Sequence, residues 1–581
     1  MRLQIVVLVG VVLSLASLAR PHSSVARDLG DLKIPAERVP VWNPGIPGGI
    51  PDTSRWPVID ATEFGAKPND GKDDTKAINA AIARAAKDGG RKVVFLPKGT
   101  YRFPLKTSIV LKPNVVLRGA GMHKTVITGD KGRPHPSAGW AAIHVVGKFG
   151  PRIKVTDTAL PRGTTHITLT DAAGLSVGDS ACLRLNAHDP ACVQHRTQWA
   201  KGKSSMTHIF KVSAKAGNRI TMDRPLRHTF NTALGVHVLR MDPIENAGLE
   251  DLKVMNDDDS EDKYIPLVAF DRAVNCWARN VFFYNGHRYH LSFRDSARNT
   301  VEHCLFERLL FAERTKTKAR AYNNYSVVCG WGAIDNLIWN SVFVDLFISV
   351  KLDCGANGNV YAYNYHVGKK CSHGIFFHGH YPHSNLIEGN DTYASVCFDN
   401  YWGQQGPRNT LFRNRLRAKG HVKTENNTSQ KPPFIADRIN VIGNTCFAIY
   451  GTPFSQYKKG NSKDFDQQTT NMWLERNVVR DTRPDIVPDW TKDNPDGANC
   501  WGLVLRTPNP TTVMQDNVEA LTAPPEWKDC RIPASLYLDK PPHFWPEHKP
   551  WPCLGADVDD FESGDLVRLP AQEWYERQMS E

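Results

Sequence analysis

Between residues 350 and 420 the chain collects side chains that move protons and hold charge, including five of its 21 histidines. β-Elimination from a uronic acid needs a base for the proton beside the carboxylate, and cations to neutralise that carboxylate. His378, His380, Lys351, Tyr401 and Arg408 are the residues to which this chemistry is assigned, with a His or Lys as base and Arg as carboxylate clamp. Asp353, Tyr381, His383, Glu388, Asp399, Trp402 and Arg413 are assigned to substrate binding. Glycoside hydrolysis needs instead two carboxylates straddling the bond, and Asp353, Glu388, Asp391 and Asp399 are the acids on hand. A third reading has no catalysis: Tyr381, Tyr401 and Trp402 stack on sugar faces while His and Arg only hydrogen-bond. His378 and His380 alternate along a strand, as metal ligands sometimes do, but hydrogen-bonded histidines are the plainer reading and no metal is assigned.

Internal repetition supplies the elements that position these groups. Asn280-Val-Phe-Phe-Tyr-Asn285, Asn359-Val-Tyr-Ala-Tyr-Asn364, Asn385-Leu-Ile-Glu-Gly-Asn390 and Asn409-Thr-Leu-Phe-Arg-Asn414 share one frame. Asn336-Leu-Ile-Trp-Asn340 and Asn440-Val-Ile-Gly-Asn444 are shorter versions, and Asn299-Thr-Val-Glu-His-Cys304 carries Cys in the last place. Repeats of roughly 24 to 30 residues mean a solenoid, whose units cannot bury an inner face alone and must stack. Stacked strands sit about 4.8 Å apart. Asn suits such a column, because its amide donates to one neighbour and accepts from the next. These Asn residues therefore read as structural ladders rather than ligands. Residues about one repeat apart become lateral neighbours, which places Lys351 or Asp353 near His378, and Asp399 or Tyr401 one coil beyond.

Upstream, Phe64-Gly65-Ala66-Lys67-Pro68-Asn69-Asp70-Gly71-Lys72-Asp73-Asp74-Thr75 precedes an amphipathic stretch with Ile78, Ala81, Ile82, Ala85 and Ala86 on one face. Asp73 or Asp74 caps that helix and Gly89-Gly90 ends it. Val93-Val94-Phe95-Leu96-Pro97, Gly99-Thr100-Tyr101 and Val115-Val116-Leu117-Arg118-Gly119-Ala120-Gly121 follow as short strands. The string from Phe64 to Gly121 resembles the start of the pectate-lyase-superfamily domain. That resemblance implies an exported, carbohydrate-active protein with an all-β fold. The fold is a right-handed parallel β-helix with an N-terminal capping helix, whose late coils carry a glycan groove. The polygalacturonase branch of such hydrolases shows Asn-Thr-Asp, Asp-Asp, Gly-His-Gly and Arg-Ile-Lys in that order. Here His378-Gly379-His380 only echoes the third, no Asp-Asp precedes it in the coils just before, and Arg152-Ile153-Lys154 comes far too early.

The 581 residues, 41% hydrophobic and 23% charged, exclude global disorder, and a net charge of +12 favours an anionic partner. Residues 1–19 read as a signal peptide, with Arg2, an apolar run from Ile5 to Leu13, and Ser17-Leu18-Ala19 at the cleavage position. Residues 20–57 are a Pro/Gly-rich leader, 58–149 the cap and first coils, 150–245 a small β-rich insertion, 246–520 the main β-helix and 521–581 a wrapping or capping tail. The stretch from His188 to Trp199 has the residues to wall one end of a groove, but an ordinary long loop is the plainer reading. Twelve cysteines in an exported chain allow disulfides or buried thiols in a stacked core. No cofactor is assigned. Calcium would suit the acidic run Asp257-Asp258-Asp259 with Glu261-Asp262, which a solvated loop explains equally well. Asn426-Asn427-Thr428-Ser429 offers glycosylation acceptors in a eukaryotic source. Nothing resembles a nucleic-acid-binding motif. The expected partner is a polysaccharide, and the expected activity is lyase chemistry on an acidic glycan in a secreted protein.

Overall fold

Strands of two to ten residues set the architecture. The structure, a computed structural model, describes residues 28–103, 107–129, 141–186, 189, 206–257, 266–309, 325–368, 374–393, 395–399, 404–417, 421–425, 436–446, 448–452, 469–470, 472–480, 513–520, 522–564 and 566–580. One coil consists of Leu337–Trp339, Val342–Val344 and Ile348–Leu352. The next consists of Val360–Ala362, Tyr365–Val367 and Ile375–His378, and the one after of Leu386–Glu388, Asp391–Thr392 and Val396–Asp399. Each strand pairs in parallel with its counterpart one coil on, as in Val360 with Leu386, Tyr365 with Asp391 and Ile375 with Val396. Three ladders result. The first runs from Val58–Asp60 to Val513–Gln515, the second from Gly99–Phe103 to Val518–Glu519, and the third from Ile109–Val110 to Ala448–Thr452. The chain is a parallel β-helix, of the right-handed kind that parallel crossovers adopt.

Inward positions form one continuous core, with Ile338, Phe343, Val350, Ile387, Phe398 and Leu411 among its members. Phe283, Phe306 and Phe343 stack on successive coils at 4.7 and 4.6 Å. Buried Asn ladders hold the corners. Asn299, Asn336, Asn359, Asn385 and Asn409 form one, each side-chain amide donating to the next at 2.8–3.0 Å. Asn364, Asn390, Asn414, Asn444, Asn477 and Asn517 form the other, at 2.8–3.1 Å. The frame differs from the sequence reading in three coils. Asn280 and Asn285 stand outside both columns, bonding Asp251 and the Asn256 carbonyl, and Asn440 bonds Thr410 and the Arg38 carbonyl. Ser341, not Asn340, receives the ladder position, and Asn340 sits beside it with φ +46°. The nine described cysteines are unbridged and almost all buried, so they act as small apolar residues.

The capping helix is Thr75–Ala86, burying Ile78, Ala81, Ile82 and Ala85. Asp73 accepts from the Thr75 amide, while Asp74 turns back to the amides of Lys67 and Arg102 and ties the helix to the first coils. The two ends of the chain run along the sides of the β-helix. Trp42 near the start, and Leu536 and Trp545 near the end, pack on Trp339, Leu386 and Phe412, outward residues of the first ladder. The terminal helix Pro570–Ser580 lays Ala571, Trp574 and Tyr575 on Val342 and Tyr365 of the second.

Residues 148–242 contain a six-stranded antiparallel sheet with its own core, including Leu183, Phe210, Ile220 and Val238. It docks on the corner between the third and first ladders. Arg184 pairs there with Asp295, and Arg224 and Arg227 both pair with Asp335.

Two outcomes test this account. Asn390→Ala removes the acceptor for both the backbone and side-chain amides of Asn364. Denaturant unfolding should show a loss of about 2–4 kcal/mol, because those donors stay buried. The second concerns His290 and His366, which lie inside the coils. His366 bonds Ser349 and Tyr361, and His290 bonds Ser326. Burial pulls both imidazoles down to about 3. The unfolded chain protonates them near the ordinary value of about 6.5. The unfolded state thus binds more protons between those values, so their contribution is present above pH 6.5 and lost as pH falls toward 3. His366→Gln should flatten the dependence of unfolding free energy on pH in that window by up to about one proton.

Candidate active site on the third ladder

The outward face of the third ladder is where polar groups gather. Val350, Leu352, Phe377 and Phe398 point into the core. Their strand neighbours Lys351, Asp353, His378 and Asp399 therefore point out. Leu352 pairs with Phe377, and His378 with Asp399. Asp353, His378 and Asp399 consequently stand in one column on three successive coils.

His378 Nδ1 bonds both oxygens of Asp399, at 2.9 and 3.0 Å. That carboxylate fixes the ring orientation and, for the neutral imidazole, favours the tautomer with the proton on Nδ1 and the lone pair on Nε2. Asp399 is 1% exposed. Lys351 Nζ lies 2.5 Å from Asp353 Oδ2 and 4.4 Å over the Tyr325 ring. Burial works against the ammonium, but Asp353 and the neighbouring phenols raise its pKa well above the ordinary value. Lys351 is therefore a fixed cation and not a base. The Tyr325 ring also faces His378, with centroids 6.3 Å apart, and stacks on Tyr289 at 6.0 Å. Burial raises the Tyr325 phenol, so its hydroxyl keeps its proton. Tyr325 thus touches both the cation and the imidazole, and ties the two into one site.

The structure brings together His378, Asp399, Lys351 and Asp353 of the residues selected from sequence. His380 lies elsewhere. The strand ends at His378, and His380 follows in a left-handed turn with φ +52°, fully buried, its Nδ1 3.1 Å from Cys354 Sγ. It does not share the face of His378, which corrects the alternation expected along the strand. Tyr381 and His383 lie under the insertion, against His228 at 5.0 and 5.6 Å. Arg408 sits just before the first ladder, its Nε donating to the Glu37 carbonyl. Glu388 accepts from Tyr363 Oη and the Leu536 amide, and Arg413 grips Asp557 and the carbonyls of Ile532 and Pro533. Those three charges bind the chain's own ends, and the structure does not bring them to the third ladder. Tyr401 and Trp402 lie outside the described residues, as do Asp258, Asp259, Glu261, Asp262, residues 426–429, the signal stretch and, except for Asp189, the 188–199 stretch. Tyr325 and Tyr289 were missed in the sequence. In register Lys351 pairs with Val328 and Tyr325 with Ile348, so counting one repeat back from Lys351 does not single Tyr325 out. Among the described residues no group of three or more His, Cys, Asp or Glu side chains is placed to hold a metal ion.

With this geometry in place, the class follows. The chain folds as a parallel β-helix, and residues 58–142 match the family model described as rhamnogalacturonase A/epimerase, pectate lyase-like. Alginate lyase 7 of Azotobacter vinelandii is 46% identical over 70 residues, 11% of this chain and 8% of that protein. Pectinesterase 2 of Citrus sinensis is 34% identical over 113 residues, 19% of this chain and 22% of that protein. The chain thus spans less than a quarter of either relative. Among solved structures, the tailspike protein gp49 from Pseudomonas phage LKA1 superposes with a TM-score of 0.50 at 11% identity, over 72% of this chain and 76% of that one. A likeness at that identity supports the fold alone.

Gly330 occupies the coil before Asp353 in the same column, since Cys329 pairs with Leu352. A Cβ there would stand 2.2 Å from Asp353 Oδ1. Gly330→Ala should therefore displace that carboxylate and cost about 1–3 kcal/mol in denaturant unfolding. In a double-mutant cycle, Asp353→Ala should absorb most of the penalty. Additive costs would show that Gly330 does not make room for Asp353.

Proposed function

We propose that the chain is a secreted polysaccharide lyase that cleaves an acidic, uronic-acid-containing glycan by β-elimination. The observation that carries this reading is the His378–Asp399 pair set beside the fixed cation Lys351 across a shared tyrosine ring. His378 Nε2 takes the proton beside the uronate carboxylate. Lys351 neutralises that carboxylate as negative charge builds on it, which is where electrostatic stabilisation is most effective. The C–H electron pair becomes the new C=C bond, the C–O bond to the leaving sugar breaks, and the Tyr325 hydroxyl protonates the departing oxygen. Asp399 holds His378 and stabilises its charged form. Tyr401 and Trp402, which follow Asp399 after Asn400 in the chain, are the aromatic residues assigned from sequence to the sugar. The scheme calls on no metal or cofactor. The net charge of +12 attracts such a polymer. Among the described residues no helix is long and apolar enough to cross a membrane.

A hydrolase is the second reading, favoured by one observation. Asp353 and Asp399 stand two coils apart in one column, about 9.6 Å between backbones, close to the carboxyl separation of about 6.5–9.5 Å in inverting hydrolases. A panel of polyuronides separates the two. A lyase yields an unsaturated product with ultraviolet absorbance, whereas a hydrolase releases reducing ends without it. Retention of a glycan with neither signal would mark a binding protein.

His378→Ala should lower kcat about 10²–10⁴-fold. Asp399→Asn should lower it as well, by loosening the tautomer, and Lys351→Met by exposing the uronate charge. Thermal unfolding of His378→Ala should stay near that of the parent. Full turnover by His378→Ala would remove His378 from the mechanism.

A further inference from the structure

The column that carries His378 and Asp399 continues toward the N-terminal coils. Asp271 pairs with Arg294, and Arg294 with Gly330. The outward column therefore reads Asp271, Arg294, Gly330, Asp353, His378, Asp399. Arg294 stands three coils before His378, about 14 Å along the axis. Its side chain is exposed, and it forms no ion pair or hydrogen bond with another described residue.

The surroundings of Arg294 make it a cationic spot rather than a neutralised one. Asp271 is already held by Arg272, Nη1 to Oδ1 at 2.9 Å, and Asp295 by Arg184. Arg184 and Arg272 both lie against the Phe149 ring of the insertion, at 5.3 and 5.4 Å. Three guanidinium groups thus face two carboxylates, and Arg294 acts on both only at longer range, with no hydrogen bond or ion pair to either. Within the column itself, Gly330 adds no side chain between Arg294 and Asp353.

We infer that Arg294 is a distal carboxylate-binding residue of the site, engaging a uronate several sugars away from the one that reacts at His378. This rests on the lyase reading and deepens it. The substrate is a contiguous polyuronide lying along the ladder, with acid groups at both Lys351 and Arg294. A glycan carrying one isolated acid would satisfy Lys351 alone. Chain length beyond the reacting sugars then contributes affinity through Arg294.

The test compares the full-length protein with Arg294→Ala and Arg294→Lys on oligouronides of increasing length and on the polymer. The control is Arg84→Ala, which removes one exposed positive charge from the capping helix. In the parent, kcat/KM should rise once the oligomer reaches from Lys351 to Arg294. Arg294→Ala should lower the long-to-short ratio of kcat/KM about 3- to 10-fold, mainly through KM on long chains. Arg294→Lys should restore part of it, and Arg84→Ala should leave the ratio as in the parent. An unchanged ratio in Arg294→Ala, or an equal fall in Arg84→Ala, overturns the inference. If the parent turns over no polyuronide, the lyase reading fails separately. Retention of a polyuronate relative to a neutral glucan then decides Arg294 by itself: weaker retention in Arg294→Ala supports it, and equal retention overturns it.

Discussion

Everything in this molecule depends on coils stacking in strict register. Parallel pairing sets the lateral spacing, and the Asn columns lock the phase of the corners, since each amide meets the next on both its donor and acceptor sides. A slip of one residue would turn every inward Phe out and every outward Lys in. The site inherits its precision from that lock. Lys351, His378 and Asp399 come from strands more than twenty residues apart in sequence, yet adjacent in the ladder.

The three faces of the helix divide the work. The first and second ladders present apolar residues outward, and the two ends of the chain cover them. Trp545 packs on Tyr363 with rings 5.3 Å apart, and Tyr575 lies beside Tyr365. Buried charges pin these straps: Arg415 sits between Asp391 and Asp559, and Arg413 grips Asp557. Such pairs cost desolvation and repay it only with full hydrogen bonding, which these arginines achieve by also binding carbonyls. The third ladder has polar groups in the corresponding outward places, and the insertion flanks it at one corner.

The electrostatics on that ladder are arranged in pairs. Asp353 keeps Lys351 charged, and Asp399 keeps His378 oriented. Lys351 offsets only one of the two carboxylates, so attraction for an anionic polymer comes from the wider field of the protein and from cations further along the same column. An imidazole and a permanent ammonium side by side are suited to different tasks, the first to proton transfer and the second to charge neutralisation.

Much of this was legible in the chain. The Asn frame and its period specified a stacked solenoid, because a repeat that cannot bury its own face has no other stable arrangement. The opening from Phe64 to Gly121 pointed to the capped β-helix, and repeat arithmetic brought Asp353, His378 and Asp399 onto neighbouring coils. Charge clustering misled where it counted side chains without their directions. Glu388, Arg408 and Arg413 share the sequence neighbourhood of His378, yet they belong to the first ladder and its corners, where residues 28–57 and 522–580 supply partners. His380 is two residues from His378, but the left-handed turn after the strand sends it inward. Periodicity is a local property and sequence states it directly. Which face a charge serves depends on segments hundreds of residues distant, and only the folded chain decides that.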